Sequence, residues 1–453
     1  MSTGIVNYYQ RFTALFSDIP HSLTKQRPQD FTRSRLLPLH RLIPFVLSLV
    51  ASGKDKGVDT KIGDLFTHAR RSGLWPEAES VHRSAVSKAR AKLDWQAFQS
   101  LFGDAVKLAY ECFPPREEYL WNGYSVWAID GSKYALPATT ALRTEFDPSS
   151  GLDQPGKGHY PQCLVSTLYD VFRRIPVART VVPLAEADER EQALQLLAAA
   201  PNIPNTISLF DQGYPSFRLV HALSAQNRLF IMRCPAAGSF SAVASFIASG
   251  EPEALIWVTP SGEFKRSLPK QERSALSPIR LRVVRLEHPD GKVSALLSNL
   301  FDKMRFPRSD LIGLYSRRWA IENHYRDEKS LLHIEQFHSK SSNGIRQELF
   351  AVLTAMVISR TLSALSVDSE SFESPKCHIQ PQLKNAVMAL AREAALLTPS
   401  NPDTAMAIFR ELIDEIRRVK HYRSKFPREP QPRVNKSPVN KWQQNRAKQV
   451  MPA

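Results

Sequence analysis

Cysteine is scarce in this chain: Cys112, Cys163, Cys234 and Cys377 are the 4 in 453 residues, and none lies near another in sequence. There is no C-x-x-C pair and no Cys/His cluster, so neither a zinc site nor a disulfide framework is indicated. Reduced thiols in a cytoplasmic protein are the simplest reading. Long apolar runs are missing too. LIPFVLSLVA, from Leu42, is the most apolar stretch; it contains Pro44 and is too short to span a bilayer. The opening residues, MSTGIVNYYQ, carry no signal-peptide pattern, and no internal repeat is present. A soluble, membrane-free protein is therefore expected. Acidic charge is in short supply: 44 Asp and Glu face 60 Lys and Arg, giving a net charge of +16. That balance favours a polyanionic partner, of which nucleic acid is the commonest. The plainer alternative is a basic protein with no such partner. What the chain does have is 43% hydrophobic and 9% aromatic residues, enough to bury a real core. Its length predicts two or three domains.

Residues 1–121 read as helical. RLLPLHRLIPFVLSLVA has helical spacing, and SAVSKARAKLDWQAFQSLF, from Ser84, is amphipathic, with Val86, Leu93, Phe98 and Leu101 alternating with Lys88, Arg90 and Lys92. That basic face either touches DNA or is simply solvated. From Tyr124 the character changes. YSVWAIDGSKYAL reads as a strand ending in a turn at Gly131. PQCLVSTLYDVF and RIPVARTVVPL read as two strands joined by a basic turn at Arg173 and Arg174. EADEREQALQLLAAAP reads as a helix with an acidic start, stopped by Pro201. NTISLFDQGYP is a strand, SFRLVHALSAQN a helix capped by Ser216, and RLFIMRCP a further strand. This order predicts an α/β unit with a mixed sheet. Residues 236–298 read as a β-rich insertion with a hairpin turn at HPDGK. Helices follow, and the chain ends in a basic tail. From Arg417 onward that tail has eleven Lys or Arg and one acid, Glu429. Its charge and prolines predict an extended arm that either contacts DNA or solubilises the chain.

Asp130 and Asp211 each follow a run of strand residues and precede a glycine within two positions. Ligands bind at the carboxyl ends of strands in open α/β sheets. Two aspartates brought together there would repel unless a cation lay between them, and oxygen ligands suit Mg²⁺ or Mn²⁺. Taken singly, either is an ordinary turn residue. The helix YSRRWAIENHYRDEK, residues 315–329, offers a third acid. At about 100° per residue, with Tyr315 at zero, Arg318, Glu322 and Lys329 fall within a stripe about 60° wide. Leu314, Ile321, Tyr325 and Leu332 make the apolar stripe beside it. Arg317, His324, Asp327 and Glu328 fall on the far side and read as the solvated face. Geometry leaves Glu322 open as a plain i, i+4 ion-pair partner of Arg318. The stripe spans about 21 Å of helix axis, comparable with about six phosphates along one DNA strand.

The spacing of Tyr315, Arg318, Glu322 and Lys329 resembles the signature of the bacterial DDE transposases of the insertion-sequence-four family. AIDGSKYALP and LFDQGYPSF resemble the segments holding that family's first two catalytic aspartates, and HYPQCLVSTLYDVFRRIP resembles the strands between them. HRSAVSKARAKL and the basic PREPQPR are similar to N-terminal and tail segments of the family. The resemblance runs from about residue 40 to 445; the first thirty-odd residues have no match, so end recognition there is unassigned. It implies an RNase H-like catalytic core, residues 122–365, with a β-strand insertion at 236–298. A helical DNA-binding domain (1–121) and C-terminal helices with a basic tail (366–453) would flank that core. Asp130, Asp211 and Glu322 are implied as catalytic carboxylates holding two Mg²⁺ or Mn²⁺ ions. Tyr315, Arg318 and Lys329 are implied as DNA contacts, with Trp319 beside them. Further implications are a hairpin intermediate on the transposon ends and a homodimer acting in the bacterial cytoplasm, associated with the nucleoid. Its double-stranded DNA substrates would be terminal inverted repeats and a target. The function expected is cut-and-paste transposition. The alternatives are a catalytically inactive transposon-derived DNA-binding protein and a general nuclease on the same core.

Overall fold

A computed structural model describes residues 3–17, 25–32, 36–51, 57–113, 116–147, 160–236, 238, 240–288, 291–367, 374 and 376–424. Most of the basic tail, including PREPQPR, lies outside the described residues.

Five helices come first: α1 (Thr3–Ser17), α2 (Leu39–Ala51), α3 (Val58–Arg71), α4 (Arg83–Lys92) and α5 (Gln96–Cys112). LIPFVLSLVA forms most of α2 and is buried. The single amphipathic helix expected from Ser84 is two helices, because Leu93 leaves helical geometry at ψ 124°. Arg90 also departs from expectation. It is not on a free basic face but buried, with its guanidinium on the Gln347 amide oxygen at 3.0 Å, the Gly344 carbonyl at 2.9 Å and the Glu348 carboxylate at 2.8 Å. Lys88 remains exposed.

The chain then lays down β1 (Ser125–Ala135), α6 (Thr140–Phe146), β2 (Gln162–Asp170), β3 (Ile175–Pro183), α7 (Glu189–Ala199), β4 (Thr206–Phe210), α8 (Phe217–Ala225) and β5 (Leu229–Pro235). The mixed α/β class expected from the sequence holds. Asp188 caps α7, and the Ser216 hydroxyl caps α8 by accepting from the Leu219 N–H at 3.2 Å. Gly131 is not a turn: β1 runs through it and pairs with β2 as far as Ala135.

After α9 (Ser241–Ser249) come β6 (Glu253–Val258), the short helices α10 (Gly262–Ser267) and α11 (Lys270–Ala275), β7 (Ile279–Glu287) and β8 (Val293–Ser298). These strands do not form a separate sheet. β8 pairs antiparallel with β5, extending one eight-stranded sheet in the order β3-β2-β1-β4-β5-β8-β7-β6. Only β1–β4 and β4–β5 are parallel pairs among the described residues. β7 and β8 form the expected hairpin, although Pro289 and Asp290 of its turn lie outside the described residues.

The chain continues through α12 (Arg308–Ser316) and α13 (Ala320–Arg326) to the long helix α14 (Ser342–Ser366). Next are β9 (Cys377–Pro381), α15 (Leu383–Arg392), α16 (Pro402–Arg418) and β10 (Lys420–Ser424). By length and composition α14 could cross a bilayer, but 89% of its most apolar window is buried inside the fold, against α2, α5 and α15. Helices from the two ends of the sequence meet there. Tyr9 stacks on Phe409 at 4.2 Å, and the Trp75 indole donates to the Thr398 carbonyl at 2.8 Å.

Arg90→Ala would leave Glu348 buried without its main counter-charge. We expect it to cost about 3–5 kcal/mol in chemical denaturation. A loss below about 1 kcal/mol would contradict a buried, stabilising Arg90.

Candidate functional site

The parallel pairing of β1 and β4 stops at Ile129 opposite Phe210. The next residue on each strand is an aspartate. Asp130 continues along β1, opposite Thr167 of β2, while Asp211 begins the loop that runs to the α8 cap. Neighbouring strands lie about 4.8 Å apart, so the two acids leave the sheet at one level. Burial pushes the Asp130 carboxyl up to about 7, and Asp211 and Glu322 add to the rise, while Arg318 and the Gly131 N–H oppose it. All three acids foreseen from the sequence therefore share one electrostatic neighbourhood.

A fourth acid joins them. Glu189, in the first turn of α7, lies so close to Gly131 that a Cβ added there would meet its carboxylate oxygen at 2.5 Å. A side chain at position 131 would have to displace the Glu189 carboxylate. Burial, and then Asp211, raise the Glu189 carboxyl above its usual range. The sequence shows Glu189 only as one of several acids starting a helix. Tyr214 stands in the same neighbourhood, and its buried hydroxyl has no hydrogen-bond partner among the described residues.

The helix carrying Glu322 is not one regular α-helix. α12 passes through a 3₁₀ turn (Arg317–Trp319) into α13, which runs into a π-turn (Asp327–Leu331). Each change of winding shifts the angular positions that an even 100° step assumes. His324 and Glu328, expected on the solvated face, are instead 1% and 0% exposed. Their face lies on the sheet: His324 stacks on Tyr169 of β2 at 4.7 Å, and Glu328 pairs with Arg179 of β3 at 2.7 Å. Arg317 is exposed as expected.

Arg318 is more deeply placed than a rim position. It is 3% exposed, with Nη2 at 3.0 Å from Glu322 and 3.7 Å from Asp211. The i, i+4 ion pair left open by geometry thus exists, and it reaches a second acid. Tyr315 donates its hydroxyl to Asp211 at 3.2 Å. Arg318 also lies over the rings of Tyr315 and Trp319, at 5.9 and 5.5 Å. Trp319 itself is 45% exposed. Lys329 turns back to β1, donating to the Ser132 hydroxyl at 2.9 Å and the Lys133 carbonyl at 2.6 Å.

Among the described residues no group of three His, Cys, Asp or Glu side chains is close enough to grip a metal ion. The guanidinium of Arg318 stands among the carboxylates as their cation. Its Nε and Nη1 are buried and make no hydrogen bond among the described residues. The oxygen-only donor set of Asp130, Asp211 and Glu322 suits a hard divalent cation. Two unpaired donors on Arg318 suit a second acceptor such as a phosphate. The residues fit a metal if Arg318 gives way.

An acid on a central strand, another just past its parallel neighbour and a third on a helix across them are thus brought to one place. Comparison of sequences defines the class: residues 121–358, over half the chain, match the transposase DDE domain. The chain belongs to that family, as a DDE transposase of the IS4 type. It is 27% identical over 329 residues to the transposase InsG for insertion sequence element IS4 of Escherichia coli (strain K12). That match covers 71% of this chain and 69% of the relative. Among solved structures, the piggyBac transposase synaptic complex with hairpin DNA aligns at a TM-score of 0.41 and 10% identity. The alignment covers 98% of this chain and 87% of that one.

Because the folded pKa of Asp130 lies above its ordinary value, the folded state keeps a proton that the unfolded chain releases. Stability from this group therefore falls as pH rises from about 4 to about 7. Asp130→Asn should melt higher than the wild type at pH 8, with the gap narrowing by pH 5. Thermal melts across that range check this, and a gap independent of pH would contradict it.

Proposed function

We propose that the protein is a cut-and-paste DNA transposase, cleaving transposon ends and joining the freed 3′ ends to target DNA by metal-dependent phosphoryl transfer. The observation that carries this reading is the emergence of Asp130 and Asp211 at one level of the sheet, with Glu322 linked to Asp211 through Arg318. The order β3-β2-β1-β4-β5, with β1 central and β4 parallel to it, supports an RNase H-like reading of the core.

Asp130, Asp211 and Glu322 would hold two Mg²⁺ or Mn²⁺ ions, which when bound supply an activated oxygen nucleophile and stabilise the leaving oxygen. The protein's own groups do the rest. Arg318, released from Glu322 and Asp211, turns its unpaired N–H groups to a phosphate of the strand being cut. Lys329 and Tyr315 hold the same strand on either side, and exposed Trp319 offers a stacking face for a base or sugar. Asp130 would hold a metal as its carboxylate, its proton released to solvent. A homodimer would hold two terminal inverted repeats together, and the basic tail would add non-specific grip on DNA.

The test is a cleavage assay on labelled duplexes carrying the inverted repeats that flank the gene. Wild-type protein should nick and join them only with Mg²⁺ or Mn²⁺. Asp130→Asn and Glu322→Gln should lose cleavage by at least about 10³-fold while binding DNA nearly as tightly. Normal cleavage by either variant would sink the active-site assignment. Tight end binding with no cleavage under any metal would favour the inactive DNA-binding reading, and cleavage regardless of end sequence would favour a general nuclease. Lys329→Ala should weaken binding and lower the slope of log K against log salt by about 1.

A further inference from the structure

The sheet delivers Asp130 and a separate helix delivers Glu322, so something must fix the helix against the sheet. Three residues beyond Glu322, the buried Tyr325 hydroxyl donates to the main-chain carbonyl of Asp130 at 2.7 Å, with the Val165 carbonyl of β2 at 3.2 Å. Six residues beyond Glu322 lies Glu328, fully buried. One of its carboxylate oxygens meets Arg179 of β3 at 2.7 Å and His324 at 3.0 Å; the other accepts a hydrogen bond from Tyr134 of β1. Arg179 in turn donates to the Thr167 hydroxyl of β2 at 3.0 Å. Three strands are thereby bolted to one helix.

We propose that Tyr325 and the buried Glu328–Arg179–Tyr134 cluster are positioning residues, setting the spacing between Asp130 and Glu322 at the site. Two observations favour geometry over stability as their role. A well-packed apolar pair often stabilises a fold as well as a buried ion pair does, without its directional contacts, and here the two Glu328 oxygens are shared among Arg179, His324 and Tyr134. Glu328 also lies within the π-turn, a winding frequent at functional sites, and from there its carboxylate meets Arg179. None of these groups touches the carboxylates of Asp130, Asp211 or Glu322 among the described contacts. Tyr325 acts through the Asp130 main chain, and Glu328 through the helix axis. This inference rests on the proposed reading of Asp130 and Glu322 as the cutting carboxylates.

Tyr325→Phe removes one hydroxyl from an otherwise unchanged ring. In the full-length chain it should keep a wild-type circular dichroism spectrum and DNA affinity. Single-turnover end cleavage should fall at least about tenfold, since a misplacement near 1 Å costs up to about 10²-fold. The Mn²⁺ concentration that half-saturates binding, followed by the electron paramagnetic resonance signal of free Mn²⁺, should rise several-fold. Tyr134→Phe, approaching Glu328 from the strand side, should shift both readouts in the same direction. A wild-type cleavage rate and wild-type Mn²⁺ affinity in both folded variants would overturn the proposal. Asp130→Asn serves as the control. If it cleaves, the reading of the site fails; if it is dead while Tyr325→Phe matches wild type, only the positioning role fails.

Discussion

Like charges crowded in a sheltered place govern this molecule. Asp130, Asp211, Glu189 and Glu322 converge where the sheet ends, and Coulomb repulsion between them grows as water is excluded. The fold answers with a single buried guanidinium. Arg318 gives up hydration to stand among them, and Tyr315 and Trp319 flank its plane. Winding the helix as 3₁₀ at Arg317–Trp319 puts that side chain where the charge requires it. Part of the site's negative charge is thus offset by a group that belongs to the chain itself.

How the acids are carried explains what the sequence could and could not reveal. Asp130 and Asp211 could be singled out because each follows a run of strand residues and precedes a glycine; Asp130 nonetheless lies inside its strand, and it is the β1–β4 register that places the two side by side. Glu322 could be singled out only through its spacing from Tyr315, Arg318 and Lys329; helix geometry left it open as an ordinary ion-pair partner of Arg318, and that pair is present. Glu328 and His324 were misread. A periodic pattern counts a polar residue as solvated, and their burial depends on Arg179, a strand residue about 150 positions earlier. Glu189 hid for a similar reason, because acids commonly begin helices.

The β-rich stretch shows the same limit at the level of topology. Its strands and its hairpin could be read from alternation and turn residues, but nothing local said which edge they would join. Pairing of β8 with β5 decides it, making the insertion part of the sheet that carries the acids. Arg90 marks the opposite error: a basic residue in an amphipathic helix looked available to DNA and is instead consumed by Glu348 and Gln347.

The meeting of the two chain ends around α14 bears on synthesis. Tyr9 needs Phe409, and Trp75 needs the Thr398 carbonyl, to complete their surroundings. A ribosome delivers Thr398 323 residues after Trp75, so the first helices wait with apolar faces uncovered until α16 has emerged. The helical layer around α14 therefore closes late. A truncated product would be left with an open core as well as a missing tail.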